Sequence, residues 1–152
     1  MKLKLNREFM VRHLGVAILL FGLGCYFAYD GFIGYPSIPA AELYRSIEKS
    51  DPPVSVNLEA FKAQKIKTQY GFTILCLLAA FIVGLHLLAI SRFEFEYDDT
   101  SFTYHGKRHE IKSIKKIDWS RWEKKGIVVV DGITLDAWHH IGVKEFAEKL
   151  KS

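Results

Sequence analysis

The chain predicts a membrane α-helical hairpin, two transmembrane helices, joined to a small α+β module that ends in a helix. Three observations carry this. Residues 71–90, GFTILCLLAAFIVGLHLLAI, hold His86 as their one ionisable group, and an apolar run of about 20 residues is what a helix needs to cross the hydrocarbon of a bilayer. Residues 14–33, LGVAILLFGLGCYFAYDGFI, repeat the pattern with Asp30 near one end. In residues 92–108, RFEFEYDDTSFTYHGKR, the aromatic residues Phe93, Phe95 and Tyr97, then Phe102 and Tyr104, alternate with polar ones, the period of half-buried strands.

Taken in order, residues 1–13 read as a basic cytoplasmic tail: Lys2, Lys4, Arg7 and Arg12 stand against Glu8 alone. The first span occupies residues 14–33. Its basic flank also fits a signal peptide, and FGLGC fits a lipoprotein box acylated at Cys25. The leucine such a box wants three residues earlier is Gly22, so an unprocessed span is expected. Tyr26, Tyr29 and Tyr35 suit the headgroup layer, and Gly34 with Pro36 should stop the helix. Asp30 is read as solvated at the interface or capping a partner, with an ion-relay role as the sharper alternative.

Residues 34–70 form an extracytoplasmic connection, with a short helix over IPAAELYRSIEKS and a break at SDPP. Asn57 then caps a helix of roughly 33 residues that runs through the second span, residues 71–91. Counting Asp30, the connection has five Lys/Arg and five Asp/Glu, so the charge asymmetry favours both termini in the cytoplasm. Cys25 and Cys76 would lie at similar depth, where small packing residues explain them better than a redox pair. Gly15, Gly22, Gly24 and Gly84 are the candidates for close helix packing.

Residues 92–152 form the module. Ile111, Ile114 and Ile117 are spaced by three, which marks a corner at Lys112–Ser113. Ile117, Trp119 and Arg121 alternate again, and KKG at 124–126 turns the chain. IVVV is a β-branched strand, and Asp131–Gly132 is the hairpin dipeptide leading into ITLDAW. Val143, Phe146, Ala147 and Leu150 share one face of a closing helix. The expectation is about five strands and one helix. With the EIKSIKKIDW corner, the KKGIVVV strand and that helix, residues 92–151 resemble bacterial pleckstrin-homology-like (PH-like) domains. The resemblance implies a partial PH-like β-meander or half-barrel, two strands short of seven, and a surface that contacts lipid headgroups.

The composition excludes several functions. No phosphate loop, nucleophile–base pair or paired carboxylate is present, so no catalytic residues are expected and the chain is read as a non-enzyme. His105 and His109, or His139 and His140 with Asp136, assemble into a metal site only on paper; no metal and no cofactor is expected. His13 and His86, at related depth on neighbouring helices, are the sole candidate haem ligands. From residue 92 onward twelve Lys/Arg meet eleven Asp/Glu, which argues against nucleic acid.

The candidate lipid- or partner-binding residues are Lys112, Lys115, Lys116, Arg121, Lys124 and Lys125, with Trp119 and Trp122. A lysine near an anionic leaflet contributes about 1 kcal/mol, although Glu110, Asp118 and Glu123 dilute the stretch. The expected role is an accessory or scaffold subunit of the bacterial inner membrane, assembling with other integral membrane subunits or with itself and touching membrane lipids. The alternatives are a headgroup-binding module and, third, a haem or redox subunit.

Overall fold

A computed structural model describes residues 1–151, which fall into two compact units: residues 14–84, and residues 1–13 together with those from 85 onward. Two helical segments, Arg7–Ser37 and Leu58–Ser91, are long and apolar enough to cross a membrane.

The first unit is helical. Helix α1 (Arg7–Tyr29) widens into a π-helical stretch, Asp30–Gly34, and closes with α2 (Tyr35–Ser37). The helix was expected to stop at Gly34–Pro36. It continues to Ser37 because the Tyr35 N–H reaches back five residues to the Asp30 carbonyl. That wider turn eases the clash proline makes with the preceding turn. Helix α3 (Ala40–Glu48) ends on Lys49 in a left-handed conformation (φ 58°), whose N–H returns to the Arg45 carbonyl. Helix α4 (Leu58–Ser91) is 34 residues long, and Asn57 Oδ1 accepts the Ala60 N–H at 3.0 Å as its cap.

Lys62 Nζ donates to the carbonyls of Pro36 (3.0 Å) and Ile38 (2.7 Å), and Gln69 Nε2 donates to the Tyr35 hydroxyl at 2.9 Å. Leu43 is buried, and the Tyr44 and Phe61 rings lie 4.8 Å apart. Together these pin the connection onto α4.

The second unit is built from three small antiparallel sheets and two short helices. One sheet orders β2 (Phe95–Tyr97), β3 (Ser101–Tyr104) and β4 (Lys107–Glu110). Another orders β5 (Ile117–Asp118), β6 (Ile127–Val130) and β7 (Ile133–Asp136). The third pairs β1 (Lys4–Leu5) with β8 (His140–Ile141), Leu5 opposite His140. A 3-10 turn, Ile111–Ser113, makes the corner expected at Lys112–Ser113. Helix α5 (Trp122–Lys125) turns the chain at KKG, and α6 (Val143–Lys151) closes the unit. Asp131 (φ 46°) and Gly132 (φ 87°) supply the two positive φ angles of the β6–β7 hairpin.

Two expectations change here. Seven strands, not about five, lie between residues 95 and 141. All four residues of β4 are exposed and β5 and β8 are two residues long, so none of the three carries a visible hydrophobic alternation. Residues 1–13 do not form a tail. Leu3 is 4% exposed and joins Phe95, Tyr97, Phe102, Val128, Val130, Leu135, Val143 and Phe146 in the core. The Leu3 N–H donates to the Phe95 carbonyl, and Met1 bonds the Tyr97 carbonyl through its amino group.

Candidate functional site

The densest group of chemically capable side chains in the second unit surrounds Phe9. Asn6 begins the site. Its side-chain oxygen accepts the Glu8 N–H at 3.0 Å, capping α1, while its backbone N–H donates to the His139 carbonyl (2.8 Å). Its side-chain amide donates to the Trp138 carbonyl (2.9 Å). This one residue therefore ties the start of α1 to the β7–β8 loop.

One turn on, Phe9 is 2% exposed. Its ring centre lies 4.0 Å from His13, 4.6 Å from His139, 6.3 Å from His86 and 6.4 Å from Trp138. His86 stands 6.5 Å from His13 and 5.8 Å from His139. Three imidazoles from α1, α4 and the β7–β8 loop thus share one aromatic cluster. The Arg12 guanidinium sits over the Trp138 ring at 5.6 Å and pairs with Glu8.

The hydrogen bonds assign some of the nitrogens. His13 Nδ1–H donates to the Phe9 carbonyl at 2.9 Å, which leaves Nε2 bare. His139 Nδ1 is 3.7 Å from Asp136 Oδ2, an electrostatic neighbour beyond hydrogen-bond range. The other Asp136 oxygen accepts the Trp138 N–H at 2.7 Å and shapes the loop. Burial pushes the His139 pKa below the usual value, opposed by Asp136 and reinforced by His86 and His13. Burial does the same to His140, although its Nε2–H donates to the Ile90 carbonyl at 3.3 Å. Among the described residues, no group of three His, Cys, Asp or Glu side chains is arranged to hold a metal ion.

His13 and His86, the candidate haem ligands, do come together. Phe9 packs against both rings, however, so the space around them is already partly filled. His105 lies in the β3–β4 turn at φ 46°, and His109 stacks on Phe102 at 5.0 Å. Neither joins the trio.

The basic candidates are spread over three elements. Lys112 sits on the 3-10 turn beside a polar hollow lined by Asp99, Arg108 and Glu110. Lys115 and Lys116 follow it, their N–H groups held by Asp131 (2.8 Å for Lys116). Lys124 and Lys125 are on α5. None of these five, nor Arg121, makes an ion pair among the described residues. Trp119 and Trp122 are half-buried against the core, 5.8 Å apart, with Lys151 Nζ 5.0 Å and 5.9 Å from their rings.

The glycine candidates divide. A Cβ on Gly24 would meet Leu77 at 2.7 Å, so Gly24 is a close-packing position. Gly15, Gly22 and Gly84 face open space, with nothing within 4 Å of an added Cβ. Gly31, absent from the expected set, would meet the Tyr70 ring at 2.8 Å. Cys25 and Cys76 are free thiols, the first exposed and the second buried.

Sequence reasoning missed Asn6 and Phe9. The available signal was Lys2-Leu3-Lys4-Leu5, a two-residue alternation too short to outweigh the tail reading. Comparison with known protein families, with characterised proteins and with solved structures returns no match to this chain.

Proposed function

We propose that this chain is a two-span integral membrane protein, with both termini in the cytoplasm of a bacterial cell and a PH-like module at the membrane surface. It acts as a non-catalytic accessory or scaffold subunit that assembles into, or stabilises, a larger membrane complex. The observation that carries the reading is the apolar surface of the helical unit. Ile18, Leu19 and Phe21 on α1, and Ile74, Leu75 and Phe81 on α4, are each more than half exposed. In water such a surface would aggregate, whereas in a bilayer it meets lipid tails or other helices.

Further support comes from a hollow of about 540 Å³ lined by Ala17, Ile18, Phe21, Leu77, Ala80 and Phe81. Small residues flanked by large ones let another helix approach closely, and the open faces at Gly15, Gly22 and Gly84 add to this. The pairing of β1 with β8 favours both termini on one side, since both strands belong to one unit.

Extraction from native membranes in mild detergent, with native-gel separation and mass spectrometry, tests the role. Co-migration with a fixed set of larger subunits is the expected result. Migration as a small free species or a homo-oligomer would sink the reading.

A second reading, anionic headgroup binding, is favoured by the absence, among the described residues, of ion pairs at Lys112, Lys115, Lys116, Arg121, Lys124 and Lys125. Cations held in no close ion pair cost little to bring to a phosphate surface. Changing Lys112, Lys115 and Lys116 to Glu should reduce co-purified anionic lipid severalfold on this reading and leave it unchanged on the first. Haem ligation by His13 and His86 is the least supported reading, because Phe9 lies against both rings; a Soret band in purified protein would revive it.

A further inference from the structure

The Phe9 cluster has a feature that neither scaffolding nor headgroup binding uses. Three imidazoles from three separate elements meet around one buried phenyl ring, and two of those elements, the start of α1 and the β7–β8 loop, are tied by two hydrogen bonds from Asn6. We propose that His139, packed with His13 and His86 around Phe9, is a proton-operated latch, which clamps the N-terminal strand and the start of α1 to the β7–β8 loop when neutral and releases them when protonated.

The geometry supplies both states. Neutral imidazoles pack on Phe9 as flat, largely apolar rings. A proton on His139 places a charge in a half-buried site, among groups that mostly resist it. From α1 these are His13 and the Arg12 guanidinium over Trp138, with Glu8 already paired to that guanidinium. From α4 it is His86, 5.8 Å away, and from β8 His140, 6.4 Å away. Asp136 alone opposes them, from 3.7 Å.

The simplest relief is for the loop to move off α1. That breaks the Asn6–His139 and Asn6–Trp138 hydrogen bonds and pulls at the adjoining Leu5–His140 pair. Two residues further along the chain is Leu3, a core residue, so the release reaches the packing of the module itself.

The sign follows from burial. A histidine whose folded pKa is depressed favours the closed form above its ordinary value of about 6.5 and loses that preference as pH falls below it. The latch is therefore shut at neutral pH and opens in acid. This is independent of which partner the protein assembles with.

The Asn6 amide reports the latch directly, because its hydrogen bond to the His139 carbonyl spans it. The experiment measures hydrogen-exchange protection of that amide in the full chain in detergent micelles, corrected for intrinsic rate, between about pH 7.5 and about pH 5.5. The expected result is a severalfold fall in protection, limited to about tenfold over this range for one histidine whose ordinary value is about 6.5. The fall should be largely abolished in His139→Asn and reduced in His86→Asn, a gentler change at an exposed position. His105→Asn, remote from the cluster, should behave as the wild type. Protection that is flat with pH in the wild type overturns the proposal, as does an unchanged fall in both His139→Asn and His86→Asn. Protection that responds to added zinc ion at constant pH, and not to pH, also overturns it and assigns the trio to a metal.

Discussion

Gly31 and Gly22 differ by what surrounds them, and the difference sets opposite expectations for the same substitution. Gly31→Ala pushes a methyl to within 2.8 Å of the Tyr70 ring and 3.3 Å of Gln69 Cβ, neither of which is a freely moving chain end. Overpacking of this kind costs about 1–3 kcal/mol. Gly22→Ala meets nothing within 4 Å and should be neutral or slightly stabilising through helix propensity. Detergent-titrated unfolding of the two variants checks both; equal effects would remove the assigned close contact. Asp98 offers a pH test. Its carboxylate accepts the Thr100 N–H (2.8 Å), then the Ser101 hydroxyl (2.8 Å) and N–H (2.7 Å), and these bonds hold its pKa well below the carboxylate range. Stability from that turn is present above the ordinary carboxylate value and is lost as pH falls through the region below it. The advantage of wild type over Asp98→Asn in acid unfolding should shrink steadily below about pH 4.

At the scale of elements, the N-terminal strand is a structural part of the module despite its length. Leu3 and Phe146 come from opposite ends of the chain and enter the same core, with Phe146 packed 5.0 Å from Phe95 and 4.9 Å from Tyr97. Leu3→Ala should cost about 2–5 kcal/mol and Phe146→Ala about 3–5 kcal/mol, since each leaves a cavity that rigid neighbours cannot fill. Thermal unfolding followed by near-ultraviolet dichroism measures both. A Leu3→Ala effect within experimental error would return residues 1–5 to the status of a tail. The β6–β7 hairpin is specified locally, by positive φ at Asp131 and Gly132. Asp131 does a second task through its carboxylate, which holds the Lys115 and Lys116 amides.

For the molecule as a whole, the second unit is assembled from segments separated by the entire helical unit. Residues 92–151 alone lack Leu3 and the partner of β8, so they should be markedly less stable than in the full chain. A peptide of residues 1–8 added in excess should restore part of that stability by mass action. No response to the peptide would mean that the strand contributes little. On the proposed two-span reading, labels at the two ends should show the same protease accessibility in sealed vesicles. Opposite accessibility would be incompatible with pairing of β1 and β8.

The sequence by itself determined the local features whose signals are local. Two long apolar runs meet the length a helix needs to cross a bilayer, Asn57 announces its cap, and Asp131–Gly132 announces its turn. The amphipathic stretch Val143–Leu150 gives the closing helix because one face of it repeats every 3.6 residues. Tertiary structure decided everything that depends on residues far apart in the chain. β1 and β8 are two residues each, too short for any periodicity, and exist because each supplies the other's hydrogen bonds. The exposed β4 is held by its ladder with β3 and not by burial. The histidine cluster has the same origin. His13 and His86 were legible in sequence as a pair at related depth, but the docking of the α1 start onto the β7–β8 loop, through Asn6 and around Phe9, is what brings the His139 ring to them.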